Sequence, residues 1–278
     1  MSQTKHQIAI QGIKGSFHHQ VAIHYYGDAI GLEECASFDV LVEHLIEGNV
    51  DQAVMAIENS IAGSIIPNYA LIDQNNLSIV GEYHLSIDHN FMVSPGQTIM
   101  DIQEVHSHPM ALLQCKKYFK NYPHIRLVEA EDTADVARKI AAENNKNIGA
   151  IASATAAKIY GLDILGNSIQ TIKNNVTRFV IVSKNQAAIE KDQINKASMK
   201  FILDHQRGSL ATVLNVMSDC LLNLTKIQSL PVIETPGKYA FFVDVTFDEY
   251  TQFQKAHSIL KIMALEFKIL GEYQNAKA

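Results

Sequence analysis

An α/β fold is predicted for this chain of 278 residues by three observations. Apolar strand-like runs alternate with amphipathic helix-like segments. The alternation comes in two successive blocks, roughly 7–80 and 90–165, and beyond a polar stretch the order changes to βαββαβ. Alternating strands and helices cover both faces of an open, largely parallel sheet, so each block is read as one lobe. The final order is that of a small split βαβ sandwich of ferredoxin type.

The elements follow from pattern and punctuation. "QIAIQG" (7–12) reads as a strand and "SFHHQVAIHYYG" (16–27) as a helix stopped at Gly27. "EECASF" is a short strand. "FDVLVEHLIEG" (38–48) has Leu41, Leu45 and Ile46 at helical spacing and Gly48 as its stop. "QAVMAIE" is a buried strand, followed by a helix near 65–75 and the extended run "IVGEYHLSIDHNFMVS". In the second block "QEVHS", "IRLVEAE" and "NIGAIAS" are strands. "HPMALLQCKKYFKN", "TADVARKIAAENN" and "ATAAKIYG" are helices, the first with Pro109 where a missing N–H costs nothing. "DILGNSIQ" and "VTRFVIVS" are strands, and strands returning after 165 are expected to complete the first lobe. "KNQAAIEKDQINKA" (184–197) is a linker. Beyond it come "SMKFILDH", a helix from "GSLATVLNVMSDCLL", "NLTKIQSLPVI", the turn "TPGK" (235–238), "KYAFFVDVTF", a helix from "EYTQFQKAHSILKIMA", and "EFKILGEY".

Composition narrows the function classes. Apolar residues make up 47% and charged residues 19%, an ordinary globular balance. No apolar run reaches the roughly 18 residues of a membrane span. No apolar export core precedes the first strand, so a cytoplasmic location is expected. The net charge of −6 comes without a basic block, which argues against a nucleic-acid partner but leaves room for a small anion in a locally positive site. Cys35, Cys115 and Cys220 are far apart and are read as free thiols.

The strand ends carry the chemistry. In open α/β sheets ligands bind beyond the carboxyl ends of the strands. Here those ends hold Gly15-Ser16, Glu58-Asn59-Ser60 with Gly63-Ser64, Ser107-His108-Pro109, and Ser153, each before a helix start. Helix N-termini offer free N–H donors to carboxylates. Two lobes offering such donors across a cleft suit a small di-anion. Taken singly, Ser16, Ser107 and Ser153 are better read as N-caps. "GIKG" lacks the Lys-Ser/Thr ending of a P-loop, and no G-x-S-x-G elbow is present. His106 and His108 flank Ser107 without an acidic or thiol partner at ligand spacing, so no metal site is expected. "NNVTRFVIV" (174–182) starts an apolar strand with Thr177 and Arg178. Arg binds carboxylates in bidentate fashion and Thr both donates and accepts, though a structural ion pair explains the arginine equally well.

Together, "GIKGSFHHQVA", "AIENSIAGSI", "VHSHPMALLQC", "AAKIYGLDILGNSIQ" and "NNVTRF" resemble the prephenate dehydratases in order and spacing. "RGSLATVLNVMSDCLLNLTKIQSLP" and "KYAFFVDV" resemble their regulatory ACT domain. The resemblance runs from about Ile8 to about Tyr273 and is to the form without a leading chorismate mutase domain. It implies a two-lobed, periplasmic-binding-protein-like catalytic domain over 6–184 (about 6–82 with 168–184, and about 88–166), a linker over 185–196 and an ACT domain over 197–275. It also implies loss of water and carbon dioxide from prephenate to give phenylpyruvate, with no cofactor and no metal.

By the same resemblance Thr177 is the essential residue, donating a hydrogen bond to the departing hydroxyl, and Asn59, Ser107 and Gln114 fall on catalytic positions. Ser16, Phe17, Glu58, Ser60, Arg178 and Phe179 are candidate substrate-binding residues, with core packing favoured for Phe179. The implied L-phenylalanine effector site uses Gly208, Ser209, Leu210, Asn223 and Leu224, between the ACT domains of a homodimer or homotetramer. Two positions depart from the family pattern. Met110 replaces a usual Gln, and the E-S-R-P element reads Gln228-Ser229-Leu230-Pro231, which puts the strength of feedback inhibition in question. Arogenate, with an amino group in place of the keto oxygen, is an alternative substrate. A non-catalytic two-lobed ligand sensor is the alternative outside enzymes.

Overall fold

The computed structural model describes residues 6–186, 189–232, 235 and 237–276. The elements, in chain order, begin with β1 (Gln7–Gln11), α1 (Phe17–Tyr26), β2 (Gly31–Cys35), α2 (Phe38–Glu47), β3 (Gln52–Asn59), β4 (Gly63–Ser64), α3 (Ile66–Gln74), β5 (Ser78–Ser86) and β6 (Asn90–Val93). A 3-10 turn (Ile99–Asp101) precedes β7 (Glu104–Ser107), α4 (Pro109–Phe119), β8 (Arg126–Glu129), α5 (Thr133–Glu143), β9 (Ile148–Ala152), α6 (Ala154–Tyr160), β10 (Asp163–Gly166) and β11 (Val176–Ser183). The last part holds β12 (Lys196–Ile202), α7 (Ser209–Asp219), β13 (Asn223–Pro231), β14 (Tyr239–Thr246), α8 (Tyr250–Met263) and β15 (Glu266–Tyr273).

The chain divides into two compact units, one of residues 1–63 with 85–179, the other of 64–84 with 180–278. The first sheet runs β2-β1-β3-β11-β5, with β4 on β3. β1 pairs in parallel with β2 and β3 through the buried run Ile8-Ala9-Ile10. A strand covered on both faces reads as continuously apolar, which is why Ala53 to Ile57 of β3 are all buried. The second sheet, wholly in the first unit, runs β10-β6-β9-β7-β8. β7 is parallel to β8 and β9, whereas β6 is antiparallel to β9 and β10. Phe91, Val105, Leu112, Cys115 and Ile151 form its core with α4. Burial pushes the Cys115 thiol up to about 12.

In the second unit the four-stranded antiparallel sheet has the order β13-β14-β12-β15. α7 and α8 cover it through Val213, Met217, Phe253 and Leu260 against Met199, Phe201, Val243 and Val245. Also in this unit, α3 and the first part of β5 carry acids opposed to lysines of the sheet. Lys196 Nζ lies 2.9 and 2.8 Å from the two carboxylate oxygens of Glu82, with Lys196 4% and Glu82 3% exposed. Lys200 and Lys268 both pair with Asp73, at 2.7 and 2.9 Å.

Two sequence-based expectations change. The strand expected over 163–170 ends at Gly166. Ser168 takes a left-handed φ of 46° and its N–H is held by Asn90 Oδ1 at 3.0 Å, so the chain turns there. The linker expected up to residue 197 gives way to β12 at Lys196, whose side chain is buried on Glu82 rather than solvated. Ala187 and Ala188 of that linker, and Pro236 of the expected hairpin turn, lie outside the described residues.

Candidate active site

β3 ends at Asn59, and the loop after it is shaped by that side chain. Asn59 Oδ1 accepts from the backbone N–H groups of Ile61 and Ala62, both at 2.9 Å. Those two donors fix which end of the amide is oxygen. Nδ2 therefore points the other way and donates to Thr177 Oγ1 at 2.8 Å and Asn175 Oδ1 at 2.7 Å. Asn175 in turn donates from Nδ2 to Gln114 Oε1 at 2.9 Å. His89 Nε2 stands 3.0 Å from the same oxygen. All of these residues belong to the first unit. They come from β3, the start of β11, helix α4 and the β5–β6 connection, four segments that only the fold brings together.

Because each donor and acceptor is set by the one before, the row has a single direction. Gln114 Oε1 is an acceptor, so His89 must carry its proton on Nε2. Burial pulls the imidazole down to about 4, so it is neutral near pH 7. Thr177 Oγ1 accepts from Asn59, which leaves the hydroxyl proton to be donated elsewhere.

The surrounding residues have assignable tasks. Ser60 Oγ donates to Asn174 O and accepts from Val176 N, at 3.2 and 3.0 Å, fastening the Asn59 loop to the start of β11. Glu58 is half-buried, and strand alternation turns it away from the face used by Asn59. The same alternation sends Arg178 to the face opposite Thr177 and Phe179; Arg178 is buried. Phe179 is 1% exposed and packs edge-on to His18, with ring centroids 5.0 Å apart. Phe17 opens α1 and lies edge-on to the His89 ring at 5.6 Å.

Ser16 is buried and caps α1 by accepting from His19 N at 3.2 Å. Ser153 caps α6 and donates to Gly15 O at 2.6 Å, drawing the first strand's loop to the second lobe. Gly15 has φ 92°, and a Cβ there would lie 3.0 Å from Ala156 Cα, so both conformation and contact demand glycine. Ser107 is fully buried and donates to Ile151 O at 2.6 Å, so it is absent from the row that joins Asn59 to His89. His106 pairs with Glu104 at 2.7 Å, and His108 caps α4 by accepting from Met110 N at 3.3 Å.

The strand-end pattern and the family resemblance marked Asn59, Gln114 and Thr177. Asn175 and His89 were missed. Asn175 stands in the quoted "NNVTRF", where it resembles an ordinary turn residue, and His89 lies inside the extended run "IVGEYHLSIDHNFMVS" with no motif around it.

In the second unit, Gly208 precedes α7 with φ 90°. Ser209 and Leu210 line a cavity of about 220 Å³ with His205, Lys238, Tyr239 and Phe241. Asn223 starts the edge strand β13 and its Nδ2 meets Thr246 Oγ1 at 3.4 Å. Leu224 beside it is 36% exposed.

A family model described as prephenate dehydratase matches residues 8–187. Arogenate dehydratase/prephenate dehydratase 2, chloroplastic, from Arabidopsis thaliana is 36% identical over 279 residues, covering 96% of this chain and 72% of the relative. Among solved structures, a prephenate dehydratase in complex with L-Phe from Arthrobacter aurescens superposes with a TM-score of 0.88 at 24% identity, covering 98% of this chain and 90% of that one. GqqA, described as a novel type of quorum quenching acylase, superposes with a TM-score of 0.86 at 26% identity, covering 96% and 97%.

Proposed function

Because the chain belongs to the prephenate dehydratase family, we propose that it converts prephenate to phenylpyruvate at the Asn59–Thr177–Gln114 site. It is a dehydratase, and the reaction fits what the residues offer. The bond from the ring to its carboxylate breaks and leaves carbon dioxide. Its electron pair enters the ring as the carbon–hydroxyl bond breaks on the far side. The departing hydroxide takes up a proton and leaves as water, and the ring becomes aromatic. Such a reaction needs orientation and a donor at the leaving oxygen more than a strong base.

The observation that supports this reading is the direction of the hydrogen bond at Thr177. Asn59 donates to Oγ1, so the Thr177 hydroxyl is presented as a donor. A threonine is too weak an acid to give up its proton outright, so its role is to stabilise the departing oxygen, with water as the proton source. Backbone N–H groups at the start of α1 are assigned to a carboxylate, whereas α4 opens on Pro109 and the Met110 N–H is already held by His108. Arg178, turned to the opposite strand face, is assigned to holding β11 rather than to the substrate. Ser107 shapes the turn into α4. Phe17 is assigned to the ring.

The test is direct. Protein incubated with prephenate forms phenylpyruvate, read by its ultraviolet absorbance in alkali; folded protein that forms none contradicts the reading. The Arabidopsis relative's name covers arogenate as well, so kcat/KM is compared for the two substrates. Prephenate is proposed as preferred, and a higher kcat/KM for arogenate reverses that choice.

L-phenylalanine is proposed as the effector, bound at Gly208, Ser209 and Leu210 with Asn223 and Leu224 of a second chain in a homodimer or homotetramer. The cavity beside Ser209 and Leu210 and the exposed edge of β13 support this. A ligand of the native state raises the melting temperature. No shift at millimolar phenylalanine would show that the Gln228-Ser229-Leu230-Pro231 element has lost the effector.

A further inference from the structure

We propose that His89 is a positioning residue of this site, holding the Gln114 amide in one orientation. The inference rests on the reading that places Gln114 at the substrate. His89 is 5% exposed and sits in the β5–β6 connection, where each of its backbone groups is tied down. Its N–H donates to Gln170 Oε1 at 3.0 Å, and its carbonyl accepts from Ile169 N at 2.7 Å. Gln170 is itself anchored by donating to Asp88 Oδ1 at 2.8 Å. The ring is set edge-on by Phe17. A side chain held this firmly is suited to orienting another.

Gln114 needs that help. Its amide could turn over and exchange Nε2 for Oε1, because one acceptor bond from Asn175 fixes it weakly. Two donors on the same oxygen, Asn175 Nδ2 at 2.9 Å and His89 Nε2 at 3.0 Å, make the reversed amide place N–H against N–H. Oε1 then stays in the row and the amide NH2 is the end left for a ligand. The neutral ring has a single N–H, and the acceptor Gln114 Oε1 opposite Nε2 holds it there. Nδ1 is buried with no partner among the described residues, which agrees with its being the unprotonated nitrogen.

The test measures kcat and KM with prephenate for wild type, His89→Gln and His89→Phe, each also in a Gln114→Leu background. A glutamine amide reaches about where Nε2 stands and restores the donor, whereas phenylalanine fills the space and packs on Phe17 without one. His89→Gln is expected to stay within ~3-fold of wild-type kcat and His89→Phe to fall ~10-fold or more, the worth of one hydrogen bond. In the Gln114→Leu background His89→Phe should cause no further loss, because both act through one amide. A His89→Phe enzyme as active as His89→Gln overturns the inference, and so does an undiminished His89 effect without Gln114. Imidazole 15N spectra at pH 7 give a readout independent of turnover: protonated Nε2 with bare Nδ1 is expected, and the opposite tautomer overturns it. A wild type that makes no phenylpyruvate defeats the functional reading instead, and so is told apart from failure of the role of His89.

Discussion

Replacing Asn59 by Asp exchanges one NH2 group for an oxygen and leaves size and shape alone. The retained oxygen still accepts from Ile61 and Ala62 N–H at 2.9 Å. The new oxygen stands 2.8 Å from Thr177 Oγ1 and 2.7 Å from Asn175 Oδ1, where it can only accept. Thr177 must turn its proton inward to the carboxylate. Asn175 must turn over, Gln114 after it, and His89 must move its proton to Nδ1. The short hydrogen bonds survive and only the long one from Nδ2 to Val176 O at 3.5 Å is lost, so the stability loss is small, ~1–3 kcal/mol for a carboxylate brought into a partly buried place. The donor proposed for the leaving oxygen does not survive. By analogy with other lost transition-state donors, kcat should fall ~100- to 1000-fold, equivalent to ~2.7–4 kcal/mol. Phenylpyruvate absorbance in alkali gives kcat, and a thermal melt shows that the variant is folded. A folded Asn59→Asp enzyme with near-normal kcat would refute the reasoning, because it would mean that the direction of the row is immaterial.

Other consequences are accessible to stability measurements. Lys196→Met leaves the Glu82 carboxylate without its nearest cation in a buried place, which should cost ~3–5 kcal/mol in denaturant unfolding. The double variant Lys196→Met with Glu82→Leu should regain most of that; a double variant no better than the single one contradicts the pairing. His18 and His89 are both drawn down by burial, to about 3 and about 4. The unfolded chain, with ordinary histidines near 6.5, therefore binds more protons in acid. The stability these neutral rings contribute is complete above pH ~6.5 and is lost as the pH falls toward the folded values. His18→Phe, whose ring would stay among Phe38 and Phe179, should flatten that decline; an unaltered slope would show that His18 has no part in it.

The architecture was legible because its signals are local. The apolar runs of β1, β3 and β11, the Ser caps of α1 and α2 and the Gly stop after α2 each act within a few residues. β10 ended early for a reason invisible in a local pattern, since Ser168 is turned by Asn90, seventy-eight positions away. Lys196 read as solvated linker because a lysine in a polar stretch normally is; its partner Glu82 lies 114 positions away. The site divides along the same line. Asn59 could be noticed because it interrupts a buried strand, and Thr177 because it starts one. Asn175 and His89 derive their meaning from Gln114, on a helix that neither adjoins in sequence. The sequence could point to polar strand ends, but the direction of the hydrogen bonds needed two backbone N–H groups to define it.

That direction leaves the Thr177 hydroxyl proton to be donated, as proposed, at the reacting bond, and two substitutions at this position test it most directly. Thr177→Ser keeps the hydroxyl and Thr177→Val keeps the shape without it. With prephenate in excess, the serine enzyme should retain most of the wild-type kcat and the valine enzyme should fall by at least ~100-fold. A valine enzyme that forms phenylpyruvate as fast as wild type would contradict the account.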